Sequence, residues 1–257
     1  MIQRRMYALS ALVIALGLAS CASGTGGASP SSSPASTGST TATPSATPSD
    51  AEPAIAIDAP ADDATVSVPF EATGTADTFE AALTVDVLDQ EGFTMCVRHI
   101  MATSGSGTPG TWTAILAFPP EEDPLPVTVR AYTLSPKDGA MTDLVTRNIT
   151  VSTDRPDIIM TSPTCGQVYP TGGLIFLLGT AKLFEAALTV ELRDAGGTAV
   201  VSVPVTAEEC CVESQFSSKL TVPADLAPGL YDVVAYSLSP ADGSIQNEFT
   251  VQIQVTG

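Results

Sequence analysis

Five cysteines, a single histidine and two recurring glutamates are the groups in this chain whose chemistry could reach beyond packing. Cys21, Cys96, Cys165, Cys210 and Cys211 show no C-x-x-C spacing, and His99 has no second histidine to act with. The ligand sets of zinc, haem and iron–sulfur centres therefore cannot be assembled. Glu80 and Glu185 stand at identical places just ahead of a strand-like run, where a carboxylate can act as a base or accept N–H bonds at a turn. No His, Ser or Cys accompanies them as the rest of a catalytic set, so a structural role is expected. The acidic groups Asp58, Asp62, Asp63 and Glu121, Glu122, Asp123 suggest cation-holding loops, yet calcium needs roughly six to eight oxygens at set spacing and neither group has an EF-hand pattern. They read as solvated loops. Ser104-Gly105-Ser106-Gly107 lacks the G-x-S-x-G elbow and its strand-to-helix setting, which removes support for nucleophilic hydrolysis. No catalytic residue, cofactor or metal is expected, and the chain reads as a non-enzyme.

The remaining chemistry is an address. Arg4 and Arg5 precede an uncharged, largely apolar stretch from Met6 to Ser20, too short for a bilayer span of about 20 residues and shaped like a secretory signal. It ends in Leu18-Ala19-Ser20-Cys21, which resembles the lipobox of bacterial lipoproteins: an aliphatic residue, two small residues, then the cysteine that receives diacylglycerol. Residues 1–20 are thus expected to be cleaved, leaving Cys21 lipidated at the new N-terminus. Each buried methylene contributes about 0.8 kcal/mol, so two or three acyl chains hold firmly where one does not. Residues 21–52 follow as the lipidated cysteine and a linker. From Ala22 to Ser49 every residue is Ala, Ser, Thr, Gly or Pro. That composition has no large apolar group to offset ordering entropy and is expected to form a disordered tether of about 30 Å reach. The expected location is the extracellular face of the cell membrane.

Charge agrees with a lipid anchor and excludes other partners. The chain carries 28 acids against 10 bases, a formal charge of −18 over 257 residues. A field this negative repels phosphate backbones and anionic lipid surfaces, so nucleic-acid binding is excluded and the membrane is reached through lipid alone.

Beyond the tether, one unit is written twice. Gly74-Thr75-Ala76 and Phe79-Glu80-Ala81-Ala82-Leu83-Thr84-Val85 recur as Gly179-Thr180-Ala181 and Phe184-Glu185-Ala186-Ala187-Leu188-Thr189-Val190. Later, Ala131-Tyr132-Thr133-Leu134-Ser135-Pro136-Lys137-Asp138-Gly139 recurs as Ala235-Tyr236-Ser237-Leu238-Ser239-Pro240-Ala241-Asp242-Gly243. The units span 53–152 and 157–257, joined by Thr153-Asp154-Arg155-Pro156. A period near 100 residues is that of a whole sandwich domain, not of a solenoid repeat. Within each copy the period is two: Leu83, Val85 and Val87 alternate with Thr84 and Asp86, and Leu188, Val190 and Leu192 with Thr189 and Glu191. Strand candidates end in turn chemistry such as the Ser-Pro-x-Asp-Gly segments, where Pro presets φ and Gly accepts φ > 0. The expectation is all-β: two tandem antiparallel sandwiches with seven or eight strands per copy.

The G-T-A…F-E-A-A-L-T-V segment, the D-x-x-G turn (Asp89-Gln90-Glu91-Gly92 and Asp194-Ala195-Gly196-Gly197) and the A-Y-x-L-S-P-x-D-G hairpin together resemble the immunoglobulin-like domain of bacterial spore germination proteins, the Gmad family. Both copies carry all three features in order, so the resemblance covers everything beyond the tether. It implies an immunoglobulin-like fold on an exported, often lipid-anchored envelope protein connected with spore germination, frequently beside a GerMN domain, which no segment here resembles. Antibody-type domains place a Trp between two core cysteines. Here Trp112 stands in the first copy and Phe216 in the matching place of the second, with no cysteine pair around either, so the cores are expected to hold by packing alone.

With Cys21 lipidated, four cysteines remain for disulfides. A bond between the neighbours Cys210 and Cys211 is sterically awkward, which leaves Cys165 with one of them and Cys96 with the other, or Cys96 free. The favoured pairing is Cys165 with Cys210 or Cys211, closing a loop of about 45 residues for roughly 3–4 kcal/mol. Tyr132 and Tyr236 are candidates either for exposed aromatics of a binding face or for residues closing the sandwich beside the Ser-Pro turn; closing is favoured. The function expected is a lipid-anchored module presenting two immunoglobulin-like domains to an unidentified envelope protein. The alternative is an accessory lipoprotein that binds a cation or glycan through its acidic loops.

Overall fold

The computed structural model describes residues 53–257. The expected signal, lipobox, Cys21 and tether lie outside the described residues. Alternating apolar residues and frequent turns give an all-β chain of two sandwiches. The first contains β1 (Ile55–Ala59), β2 (Thr65–Val66), β3 (Phe70–Ala76), β4 (Ala82–Leu88), β5 (Thr94–Met101), β6 (Gly110–Leu116), β7 (Leu125–Leu134) and β8 (Met141–Val151). The second contains β9 (Ile158–Ser162), β10 (Val168–Pro170), β11 (Leu174–Ala181), β12 (Ala187–Arg193), β13 (Ala199–Thr206), β14 (Ser214–Thr221), β15 (Gly229–Leu238) and β16 (Ile245–Thr256). Each pairs a three-stranded sheet, β1-β3-β6 or β9-β11-β14, with a five-stranded sheet, β2-β8-β7-β4-β5 or β10-β16-β15-β12-β13. The two copies therefore share one topology strand for strand. Even the short parallel pairs recur, β2 on β8 and β10 on β16. Among the described residues no helix is long and apolar enough to cross a membrane.

Period-two alternation puts Val85, Val87, Val129 and Ile149 into the first core, and Val190, Leu192, Val233 and Val251 into the second, all essentially inaccessible. The Gly-Thr-Ala repeat has a packing reason. A Cβ on Gly74 would stand 2.6 Å from the Trp112 ring, and one on Gly179 would stand 2.6 Å from the Phe216 ring. The same Cβ would run into the Ala56 or Ile159 carbonyl, so glycine in β3 and β11 is what lets β1 or β9 and the central aromatic of β6 or β14 approach that strand together. Trp112 completes its contact by donating Nε1–H to the Thr75 carbonyl at 3.1 Å.

The outer face of each five-stranded sheet holds a carboxylate in place of an apolar side chain. Asp86 accepts both arms of Arg130, at 2.8 and 2.6 Å, and the Tyr132 hydroxyl at 3.0 Å. In the second copy Glu191 accepts Arg193 Nε at 2.7 Å and the Tyr236 hydroxyl at 2.9 Å. Both tyrosines are buried. Burial and the Asp86 charge push the Tyr132 phenol up to about 12.

The pairing expected of the cysteines is corrected. Cys165 bonds Cys96, while Cys210 and Cys211 are free and exposed. The bond joins the two sandwiches, so packing alone does not hold the described chain together. The reason is topological: Cys165 follows the Ser162 end of β9, whereas the Cys210–Cys211 loop lies by the Ile158 end, since Cys211 N–H reaches the Leu183 carbonyl just past Ala181, the partner of Ile158. The strand between those ends runs about 13 Å, beyond the reach of a disulfide. Strand β5 instead brings Cys96 directly against the loop after β9.

Neighbouring residues of β5 extend that joint. Arg98 donates to both oxygens of Asp232, at 2.8 and 3.1 Å. The Gln252 side chain accepts the His99 N–H at 2.7 Å and donates to the His99 carbonyl at 3.1 Å, pairing with β5 as a strand would. The connecting segment is tied down on both sides. Ser67 and Ser152 donate to Asp154, and Arg155 grips both oxygens of Glu213, at 3.1 and 2.6 Å.

Candidate functional site: a repeated apolar groove

The two sequence segments that match best between the copies converge on one face. In the first copy the Thr78–Ala81 turn, the end of β5 and the Leu134–Ser135–Pro136 hairpin enclose a groove of about 750 Å³. In the second, the Leu183–Ala186 turn, the end of β13 and the Leu238–Ser239–Pro240 hairpin enclose one of about 710 Å³. Each motif supplies a wall. The G-T-A…F-E-A-A-L-T-V segment builds the turn side, and the A-Y-x-L-S-P-x-D-G segment builds the hairpin side.

At the lip of each groove stands a phenylalanine that the fold does not bury. Phe79 is 76% exposed and Phe184 is 70% exposed. Leu134 and Met101 flank the first groove and Leu238 the second, all more than half exposed. A large apolar side chain left in water forgoes about 1.5–3 kcal/mol of burial, so packing within the chain does not account for apolar groups exposed at matching positions.

The turn carrying each phenylalanine is held in a costly conformation. Glu80 and Ala81 have φ of 56° and 59°, and Glu185 and Ala186 have 61° and 54°. Left-handed backbone costs a non-glycine residue about 1–2 kcal/mol. Neighbouring loops support it. Ser106, itself at φ 55°, donates its N–H to the Thr78 carbonyl at 2.9 Å and accepts the Glu80 N–H on its hydroxyl at 3.1 Å. The same place in the second copy is taken by Cys211, at φ 69°, whose N–H reaches the Leu183 carbonyl at 2.9 Å.

The residues singled out in the sequence fall differently. Glu80 and Glu185 do occur at one place, in the turn, and the Glu80 backbone N–H is bound to the Ser106 hydroxyl. The segment 104–107 is scaffolding: besides Ser106, Gly107 donates to Asp77 at 2.6 Å and Ser104 to the Pro109 carbonyl at 2.9 Å. Asp62 accepts the Asn148 N–H at 2.8 Å, so its carboxylate closes a loop. His99 lines the first groove, with Nδ1 3.1 Å from the Thr84 hydroxyl, and partial burial keeps its pKa below the usual value. Among the described residues no group of three or more His, Cys, Asp or Glu side chains is placed to hold a metal ion. Sequence reasoning passed over Phe79 and Phe184. The signal was there: an aromatic residue at a turn, outside the strand alternation, present in both copies.

Comparison with curated proteins finds no match. Among solved structures, an ICAM-5 D1–D4 ectodomain fragment is similar at 13% identity, covering 79% of this chain and 53% of that one, with a TM-score of 0.27. The chain thus spans about half the length of that fragment. A chimeric titin Z1Z2 tandem is similar at 16% identity over 79% of this chain and 100% of that one, TM-score 0.22. The Ig1–2 module of the Drosophila receptor protein tyrosine phosphatase DLAR is similar at 11% identity over 79% and 99%, TM-score 0.22. A family model, the immunoglobulin-like domain of bacterial spore germination, matches residues 54–140 and again 157–244. With both repeats matched and the strand order duplicated, the chain belongs to the Gmad2 family of immunoglobulin-like domains and carries two of them in tandem.

Proposed function

We propose that this protein is a non-enzymatic, lipid-anchored module of the cell surface whose two domains bind an envelope protein through the repeated apolar grooves. The observation that carries the reading is the pair of exposed phenylalanines, Phe79 and Phe184, at equivalent lips. The lipobox-like Leu18-Ala19-Ser20-Cys21 supports the anchor, and the Cys96–Cys165 bond is of the kind that persists in oxidising compartments outside the cytoplasm. The family's link to bacterial spore germination makes an envelope partner acting in that process the natural setting. Anchor and tether confine the domains near the membrane and raise the effective concentration for a local partner. A cation- or glycan-binding role for the acidic loops is the weaker reading, because Asp62 already spends its carboxylate on the Asn148 backbone.

The test is crosslinking with proximity labelling on intact cells, comparing wild type with Cys21→Ala and with the double variant Phe79→Ser, Phe184→Ser. One envelope protein should be recovered with wild type and lost with both. Membrane retention of Cys21→Ala overturns the anchor. Unchanged recovery with the double variant overturns the grooves as the binding surface.

A further inference from the structure

The second copy departs from the first at one place beside its groove. Where the first has Gly105-Ser106 under the Thr78–Ala81 turn, the second has Cys210-Cys211 under the Leu183–Ala186 turn. The backbone is retained, with a left-handed residue at both sites and the same N–H to carbonyl bond. Only the side chains change, from a structural hydroxyl to two thiols. Both are exposed, and Cys211 Sγ donates to Cys210 Sγ at 3.0 Å. A disulfide requires about 2.05 Å, so roughly 1 Å of approach closes the pair.

We infer that Cys210 and Cys211 form a redox-active dithiol that exchanges with low-molecular-weight disulfides and closes reversibly to a vicinal disulfide. The hydrogen bond assigns the roles. Cys211 donates and Cys210 accepts, so Cys210 is the attacking sulfur and Cys211 the resolving thiol. The Cys210 thiolate attacks one sulfur of a small disulfide such as oxidised glutathione, forming a mixed disulfide and releasing one glutathione thiolate. Cys211 then loses its proton and attacks the Cys210 sulfur, releasing the second glutathione. The protein gives up two electrons and two protons, and the small disulfide is reduced to two thiols.

The closed form is labile for a geometric reason. Consecutive Cα atoms are about 3.8 Å apart across a trans peptide, below the roughly 4.4–6.8 Å that disulfides ordinarily span. The ring is strained and its potential is that of a readily reduced, regulatory bond. It opens and closes against the turn that carries Phe184. The inference concerns thiol chemistry alone and stands or falls independently of the groove's partner.

Both cysteines lie in the single tryptic peptide between Arg193 and Lys219, which makes the state readable by mass. Purified full-length protein is equilibrated across a series of oxidised and reduced glutathione, quenched by alkylation and mapped. The expected result is a peptide that passes from two alkylated cysteines to a form with two hydrogens fewer and no alkyl groups. The transition should fall at a glutathione-disulfide ratio about tenfold or more above that which opens Cys96–Cys165. Cys211→Ser, which copies the serine of the first copy and so preserves the loop, should stop at a glutathione adduct on Cys210. Two alkylated cysteines throughout the series overturn the inference. So does a wild-type product trapped as a glutathione adduct, or as a disulfide between two protein molecules.

Discussion

The loop after the first strand of each sandwich is one scaffold used in two ways. In the first copy it runs through Pro60, Asp62 and Asp63; in the second, through Pro163, Cys165 and Gly166. Asp63 and Gly166 both have left-handed backbone, φ 61° and 76°. Both donate their N–H to the last strand of their own copy, Asp63 to the Asn148 carbonyl and Gly166 to the Gln252 carbonyl, each at 2.7 Å. The residue before them decides what the loop does. Asp62 turns inward and accepts the Asn148 N–H, whereas Cys165 turns outward and bonds Cys96 of the other sandwich. Gln252, the counterpart of Asn148, likewise spends its side chain on His99. The joint between domains thus uses the same turn backbone as the first copy and differs from it in two or three side chains.

The largest effect expected from breaking this asymmetry is loss of the bond itself. The Cys96→Ala, Cys165→Ala double variant opens a loop with a sequence separation of 69. The chain-entropy model gives about 4 kcal/mol for a loop of that size. Denaturant titration should show that loss, and reduction of the wild type should reproduce it. A variant as stable as the oxidised wild type would show that the noncovalent joint suffices.

Next comes Gly166→Ala. Alanine at positive φ costs about 1–2 kcal/mol, and its Cβ would run into the Val97 side chain across the joint. The matching change in the first copy, Asp63→Ala, starts from a non-glycine residue at the same φ and should cost less. Equal losses at the two positions would mean that neither the positive φ nor the close approach of Val97 is felt at Gly166. Asp62→Ala, which removes one charge-assisted bond to the Asn148 N–H, should cost about 1 kcal/mol by thermal melting and leave the Cys96–Cys165 bond intact.

How much of this the sequence could disclose depends on the range of the forces involved. Strands and copies were legible because alternation at Leu83, Val85 and Val87 and the turn residues of Ser135-Pro136 to Gly139 act locally, and the second copy repeats the test. The disulfide was not, because Cys96 meets Cys165 only after β5 docks on the loop beyond β9. The outward-facing carboxylates mislead for a related reason. Asp86 alternates like a solvent-facing residue, yet it is only 2% exposed because Arg130 and Tyr132 from β7 close over it. The groove was half legible. Its walls are the two motifs that repeat, but that they face each other follows from the pairing of β4 with β7.

The smallest effect expected is a pH dependence at the joint. His99 is bound to Gln252 through its backbone and to Thr84 through Nδ1, and burial lowers its pKa below that of the unfolded chain. On acidification the unfolded state takes up the proton first, near the ordinary value of about 6.5. Stability attributable to this ring is therefore constant above that pH and is lost as pH falls through the window between the unfolded value and the lower folded one. Because the ring is only partly shielded from water, the slope should be shallow. His99→Gln keeps a polar group beside Thr84 and leaves the backbone pairing with Gln252 in place, so it should flatten the slope without changing stability at neutral pH. Denaturation midpoints measured at half-unit steps between pH 7.5 and about 5 decide the matter. An identical slope in His99→Gln would assign the acid dependence to carboxylates held below their ordinary range, with Glu213 beside the Arg155 guanidinium first in line. Asp232 acts in the opposite sense: burial raises its pKa despite the neighbouring Arg98 guanidinium, so the folded chain takes up this proton before the unfolded one and the group opposes the loss.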